Sequence, residues 1–149
     1  MTTLLQAATT VALPSITLTA DNHERLSRLA DIAADGMSDE ADFLAHEVDR
    51  AVVIDPERIA PEIVTMNSRC VFRDDSSGLD RTVTLVYPED EDVASGRISV
   101  LTPVGAALIG LAEGQSMSWR TRSGERRVLT LLKVAFQPEA AAHETALVH

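Results

Sequence analysis

The chain has 149 residues, 45% hydrophobic and 24% charged, the balance of a globular protein with one main domain and an appendage. No apolar run reaches the roughly 18 residues of a membrane span, and residues 1–20 lack the basic start of a secretory signal; a cytoplasmic protein with no membrane partner is expected. A net charge of −10 repels phosphate, so little direct binding of nucleic acid is expected.

That charge is uneven. Between Ala20 and Asp55 stand ten acids and only three bases (Arg25, Arg28, Arg50), which is −7 of the total. Such a segment suits a basic or metal-holding partner, or is an ordinary solvated face. The single cysteine, Cys70, excludes an internal disulfide and reads as a small half-buried strand residue. The four histidines are scattered, so neither a metal site nor a cofactor site is expected.

Residues 1–15 read as a flexible N-terminus, with Leu13 to Thr19 alternating as a short extended lead-in. Asp21 with Glu24 three residues later has the form of a capping box opening a helix, whose apolar face holds Leu26, Leu29, Ala30 and Ala33. Asp35-Gly36 ends it. A second helix restarts from Ser38, with Asp39 and Glu40 in its first turn and Phe43, Leu44, Val48, Ala51 and Val52 on one side. Residues 16–55 therefore read as a short antiparallel helical hairpin, a coiled-coil arm of about 20 Å. Helices this short need support from the rest of the chain.

Pro56 and Pro61 mark a linker, after which the period becomes two. Ile63 to Arg73 reads as a strand kinked near Asn67-Ser68. Asp74 to Gly78 is a turn, and Arg81 to Tyr87 a second strand. Pro88 to Gly96 is an acidic loop and Arg97 to Leu101 a third strand. Thr102 as cap, Pro103 at the first position and Gly110 past the end define a short buried helix. Gln115 to Arg120 and Arg127 to Phe136 form a closing hairpin around Ser123-Gly124, with Met117 and Trp119 inward. Residues 138–149 read as a flexible tail. The fold class is α+β, an arm followed by an antiparallel sheet over residues 56–137 with one short helix.

Three segments carry a resemblance: Val64-Thr-Met-Asn-Ser-Arg69, Thr84-Leu-Val-Tyr-Pro88, and Ile98-Ser-Val-Leu-Thr-Pro-Val-Gly-Ala-Ala-Leu-Ile-Gly110. In this order and spacing the chain resembles the regulator of nucleoside diphosphate kinase family, a relative of the Gre transcript-cleavage factors. The resemblance runs from about Ile16 to Ala140. It implies an FK506-binding-protein-like sheet domain and a regulator that binds RNA polymerase beside its secondary channel. The family name also implies nucleoside diphosphate kinase as a partner, reached directly or through transcription.

On that resemblance Thr102, Pro103 and Val104, with Arg120, Arg122 and Arg126, form the polymerase-binding surface. Those three arginines, with Arg127 and Lys133, concentrate positive charge on the last hairpin, which is equally a docking edge or a solvated turn. Asp35, Asp39, Glu40 and Asp42 form the acidic arm tip, and they either approach a metal or serve the helix dipole. An arm this short implies binding without transcript cleavage. Ala106 stands where Gre-like proteins commonly carry a base. Catalysis is not expected: five aromatics, one of them on the arm, cannot readily line an isomerase pocket, and no phosphate loop, nucleophile elbow or triad is present.

Overall fold

The computed structural model describes residues 13–34, 39–121 and 123–142. The chain opens with β1 (Thr17–Thr19) and runs straight into helix α1 (Ala20–Ala34). The cap is Thr19, two residues earlier than the capping-box pattern suggests. Its Oγ1 accepts from the Asn22 backbone N–H at 3.1 Å. Asp21 lies instead in the first turn, where its charge favours the positive end of the helix dipole. Glu24 pairs with Arg28 one turn on at 2.7 Å. Leu26 and Ala30 are buried. The expected stop at Asp35-Gly36 and cap at Ser38 lie outside the described residues.

Helix α2 (Asp39–Arg50) buries Ala41, Leu44 and Val48, and also the carboxylate of Glu47. Arg50 grips that carboxylate with two bonds, Nε to Oε2 at 3.0 Å and Nη2 to Oε1 at 2.7 Å. Its Nη1 donates to the Pro14 carbonyl at 2.7 Å. Val52, expected on the helix face, begins β2 (Val52–Ile54), which pairs parallel with β1. Three β-branched residues in a row favour the extended backbone. The base of the hairpin is thus closed by a two-stranded sheet.

Pro56 opens a 3₁₀ turn over Pro56–Arg58. The strand expected from Ile63 is shorter. Ile63 is bridged to Ala112, residues 65–68 form a turn with Asn67 at φ 69°, and β3 occupies Arg69–Asp74. The Ser68 Oγ accepts from the Thr65 N–H at 2.9 Å, and this local bond competes with strand pairing. Strand β4 is Leu79–Val86, and the acidic loop folds into 3₁₀ turns at Pro88–Asp90 and Val93–Ser95. Strand β5 (Arg97–Ser99) then lies parallel to β4. The sheet is therefore mixed, not wholly antiparallel, because the acidic loop carries the chain back to the start of the sheet edge before β5 begins.

Helix α3 (Pro103–Leu108) begins as its sequence indicates, with Thr102 Oγ1 accepting from the Gly105 N–H at 3.1 Å. A Cβ on Gly105 would stand 2.2 Å from the Ser99 carbonyl oxygen, so only glycine lets α3 approach β5 so closely. Strands β6 (Ser116–Arg120) and β7 (Arg126–Phe136) complete the sheet in the order β5-β4-β3-β7-β6. The core lies between its concave face, α3 and the arm, around Leu44, Cys70, Phe72, Leu85, Leu108 and Leu131. Residues 138–142, assigned by sequence to the tail, are helical. Buried Gln137 donates to the carbonyls of Ala60 and Ile63, and Glu139 accepts from the Thr65 hydroxyl at 2.6 Å.

The arm is fastened to the sheet at several points. Thr17 N–H donates to the Gly110 carbonyl at 3.1 Å, and Met66 N–H to Asn22 Oδ1 at 3.1 Å. The Arg25 guanidinium lies 3.6 Å from the Tyr87 ring centroid and pairs with Glu89 at 2.7 Å. Gly110 has φ 79°, and a Cβ there would meet Ile16 at 2.9 Å.

Candidate functional site

The concave face of the sheet is only partly covered by α3. Beyond Thr102 it opens into a groove of about 320 Å³. Its floor is Phe72, Val83 and Ile98, its walls are Arg81, Trp119, Thr121 and Arg127, and its rim is Thr102, Pro103 and Val104. Strand parity explains the gathering. Phe72 pairs with Arg81 across β3 and β4, and Trp119 with Arg127 across β6 and β7, so all four side chains share one face.

The electrostatics are those of an apolar trough with two guanidinium groups at its edge. Arg127 is held by Asp74 at 3.3 Å and by Glu125 at 3.6 Å. The Ser76 hydroxyl, 2.6 Å from Asp74 Oδ1, is the main influence keeping the Asp74 carboxyl below its ordinary range. Burial opposes it, and Arg127 adds to the lowering. Cys70 sits fully buried beneath the sheet, and burial pushes its thiol up to about 12. It is a core residue, more enclosed than its sequence context suggests. A second depression of about 380 Å³ lies between α1 and α2 and is lined by His23, His46, Asp31 and Asp49 among others.

The expected surface residues divide between places. Thr102, Pro103 and Val104 form the groove rim. Arg126 stands opposite Arg120 at the end of the β6–β7 hairpin, on the other face of the sheet from Arg127. Arg122 lies outside the described residues. At the arm tip, Asp39 and Glu40 occupy the first turn of α2, Asp42 is exposed on it, and Asp35 lies outside the described residues. Among the described residues no three His, Cys, Asp or Glu side chains come together to hold a metal. Ala106 is fully buried, so a base at that position would have to leave the core.

Arg81 is the groove member that the residue types did not single out; Trp119 was expected inward, and Arg127 only as one of the hairpin bases. The signal was present in parity: with Met117 and Leu129 inward, Trp119 and Arg127 must share their face.

Residues 14–54 match the family described as Rnk N-terminus, and residues 59–136 the family described as Transcription elongation factor, GreA/GreB, C-term. The regulator of nucleoside diphosphate kinase of Escherichia coli K12 is 41% identical over 128 residues, 86% of this chain and 94% of that one. The transcription elongation factor GreA of Azorhizobium caulinodans is 32% identical over 83 residues, 56% of this chain and 53% of that one. A solved GreA/GreB elongation factor from Nitrosomonas europaea superposes with a TM-score of 0.65 at 39% identity, covering 83% of this chain and 99% of that one. These relatives are named as regulators or elongation factors, not as catalysts. The chain belongs to the family of regulators of nucleoside diphosphate kinase, which is related to the GreA/GreB transcription elongation factors.

Proposed function

We propose that this chain is a cytoplasmic regulator that binds RNA polymerase at the entrance of the secondary channel and does not provoke transcript cleavage. The observation that carries the reading is the groove, with an apolar floor, Trp119 on one wall and two guanidinium groups at its edge. Such a trough fits an exposed helical element with acidic side chains, Trp and Arg being the residue types that anchor protein interfaces. Thr102, Pro103 and Val104 form its rim, and the hairpin bases Arg120, Arg122 and Arg126 form a separate docking edge, Arg126 standing on the sheet's other face. The curled sheet with one short helix supports an FK506-binding-protein-like classification. The arm over residues 16–55 acts as a separate functional unit from the sheet over 56–137.

Arm length supports the second half of the proposal. Helix α1 has 15 residues, which is about 22 Å. A stub of that length occupies the channel mouth while leaving the catalytic centre free.

The test is binding of the purified chain to core RNA polymerase, with a Gre factor as competitor. Saturable binding that the competitor displaces is expected, and Trp119→Ala with Arg127→Glu weakens it at least tenfold. Binding that survives both substitutions removes the groove from the interface. Stimulated cleavage in backtracked complexes refutes the second half. Direct control of nucleoside diphosphate kinase is the other reading, favoured by the name of the Escherichia coli relative. Co-purification with the kinase in the absence of polymerase would establish it.

A further inference from the structure

The sheet has a second face, covered at Val86 and Ser99 but otherwise open, and the groove does not use it. Parity settles which residues stand there: Cys70, Phe72, Val83, Leu85, Leu129 and Leu131 are buried, so the alternate positions point outward. Those positions carry five bases among the described residues, Arg69, Arg73, Arg97, Arg126 and Lys133, all of them exposed. Three acids border them: Asp80 pairs with Arg73 at 3.7 Å, Asp75 accepts from the Thr130 hydroxyl at 3.1 Å, and Asp92 is bridged to Arg97. In a chain with 23 acids and 13 bases, five bases beside three acids is still a local reversal of sign.

One row across the sheet is notable for its chemistry. Phe136 on β7 lies opposite Arg69 on β3, Arg69 opposite Thr84 on β4, and Thr84 opposite Arg97 on β5. Phe136 is 43% exposed. The row spans about 14 Å at the usual interstrand spacing. It presents an aromatic ring, two guanidinium groups and a hydroxyl on one surface.

We infer that this convex face binds the backbone of single-stranded nucleic acid, with Arg69, Arg97 and Lys133 on phosphates and Phe136 stacking on a base. A base offers a π-face to an exposed ring, which an acidic polypeptide does not. The face has no protruding element to enter a duplex groove, so the single strand is the form that fits. The net negative charge comes mostly from the arm, −7 of the total over residues 20–55. Here the arm packs through α2 on α3, on the concave side, so the core and the sheet lie between its acids and this face. A Debye length of about 10 Å at 0.1 M salt screens most of what remains. The inference is independent of the groove, which lies on the opposite face.

Fluorescence anisotropy of the intact chain with a labelled oligouridylate of about 16 nucleotides tests it. Saturable binding at low salt is expected, with log K falling against log salt at a slope of about −2 or steeper, as three phosphate contacts require. Arg69→Glu, Arg97→Glu and Lys133→Glu together weaken binding more than tenfold. Phe136→Ala alone weakens it at least fivefold and keeps the test decisive if the triple variant folds poorly. Arg28→Glu, a single reversal of sign on the arm, leaves it unaltered, whereas Arg97→Glu alone already weakens it. No saturation up to about 100 μM, or equal loss from Arg28→Glu, overturns the proposal. So does displacement by a polyglutamate of matching charge as effectively as by unlabelled RNA, which would assign the face to an acidic protein.

Discussion

Replacing Arg50 with Met isolates one buried charge. Glu47 is fully buried, and both of its oxygens are bonded by Arg50. Met keeps much of the stem volume but leaves the carboxylate unpaired, at a cost of about 3–5 kcal/mol. The Pro14 carbonyl loses its donor in the same step, so the chain before β1 loosens as well. Against a total stability of roughly 5–15 kcal/mol, that loss is large. With a urea m-value of about 2 kcal/mol per molar, the midpoint falls by about 2 M. The double variant Glu47→Leu with Arg50→Met replaces the pair with apolar groups and recovers most of the loss. Urea melts followed by circular dichroism decide the matter. A single variant within about 1 kcal/mol of the native chain, or a double variant no more stable than the single, would show that the pair does not hold the base of the arm.

Three further outcomes are expected. Gly110→Ala forces an alanine to φ 79° and sets its methyl against Ile16 and the Thr17 carbonyl; it costs about 2–4 kcal/mol and speeds proteolysis in the 55–62 linker, whereas an unaltered cleavage rate would mean that the arm does not depend on that contact. Cys70, fully buried and with its thiol pushed up to about 12, resists a thiol reagent near pH 8 until the chain unfolds; rapid labelling in native buffer would contradict the packing. Asp74 has a folded pKa held below its ordinary 3.8, so its contribution is fully present above that value and is lost as pH falls through the lower folded value. Asp74→Asn is therefore destabilising at neutral pH, and the difference from the native chain shrinks in acid; a difference that persists unchanged in strong acid would assign the effect to packing.

The features visible in the sequence were those with local causes. The Thr102-Pro103 start of α3 rests on a cap bond three residues long, and the arm helices on apolar spacing within a few turns. What escaped depended on distant partners. Val52 leaves the helix because β1, 35 residues earlier, offers it a parallel partner, and its N–H finds the Ile16 carbonyl at 2.9 Å. Strand β5 is parallel to β4 because of where the acidic loop turns, which alternation does not encode. Residues 138–142 become ordered through Gln137 and Glu139, whose acceptors and donors lie more than 70 residues away. At the groove, the rim was legible as a capped helix start. The partition of Arg126 and Arg127 to opposite faces required the register of the hairpin, one residue of which reverses every assignment.

The short parallel ladder of β1 and β2 has a consequence for how such arms vary. It clasps the entrance and the exit of the hairpin together, at Thr17 with Val52 and Thr19 with Ile54. Everything between Thr19 and Val52 is a closed excursion whose ends are already fixed in space. Whole turns can be added to both helices, or removed from them, without shifting the contacts at Asn22, Arg25 and Gly110 that set the direction of the arm. Reach and aim are therefore separable properties of this architecture, and a hairpin of another length grafted at these two strands would point the same way.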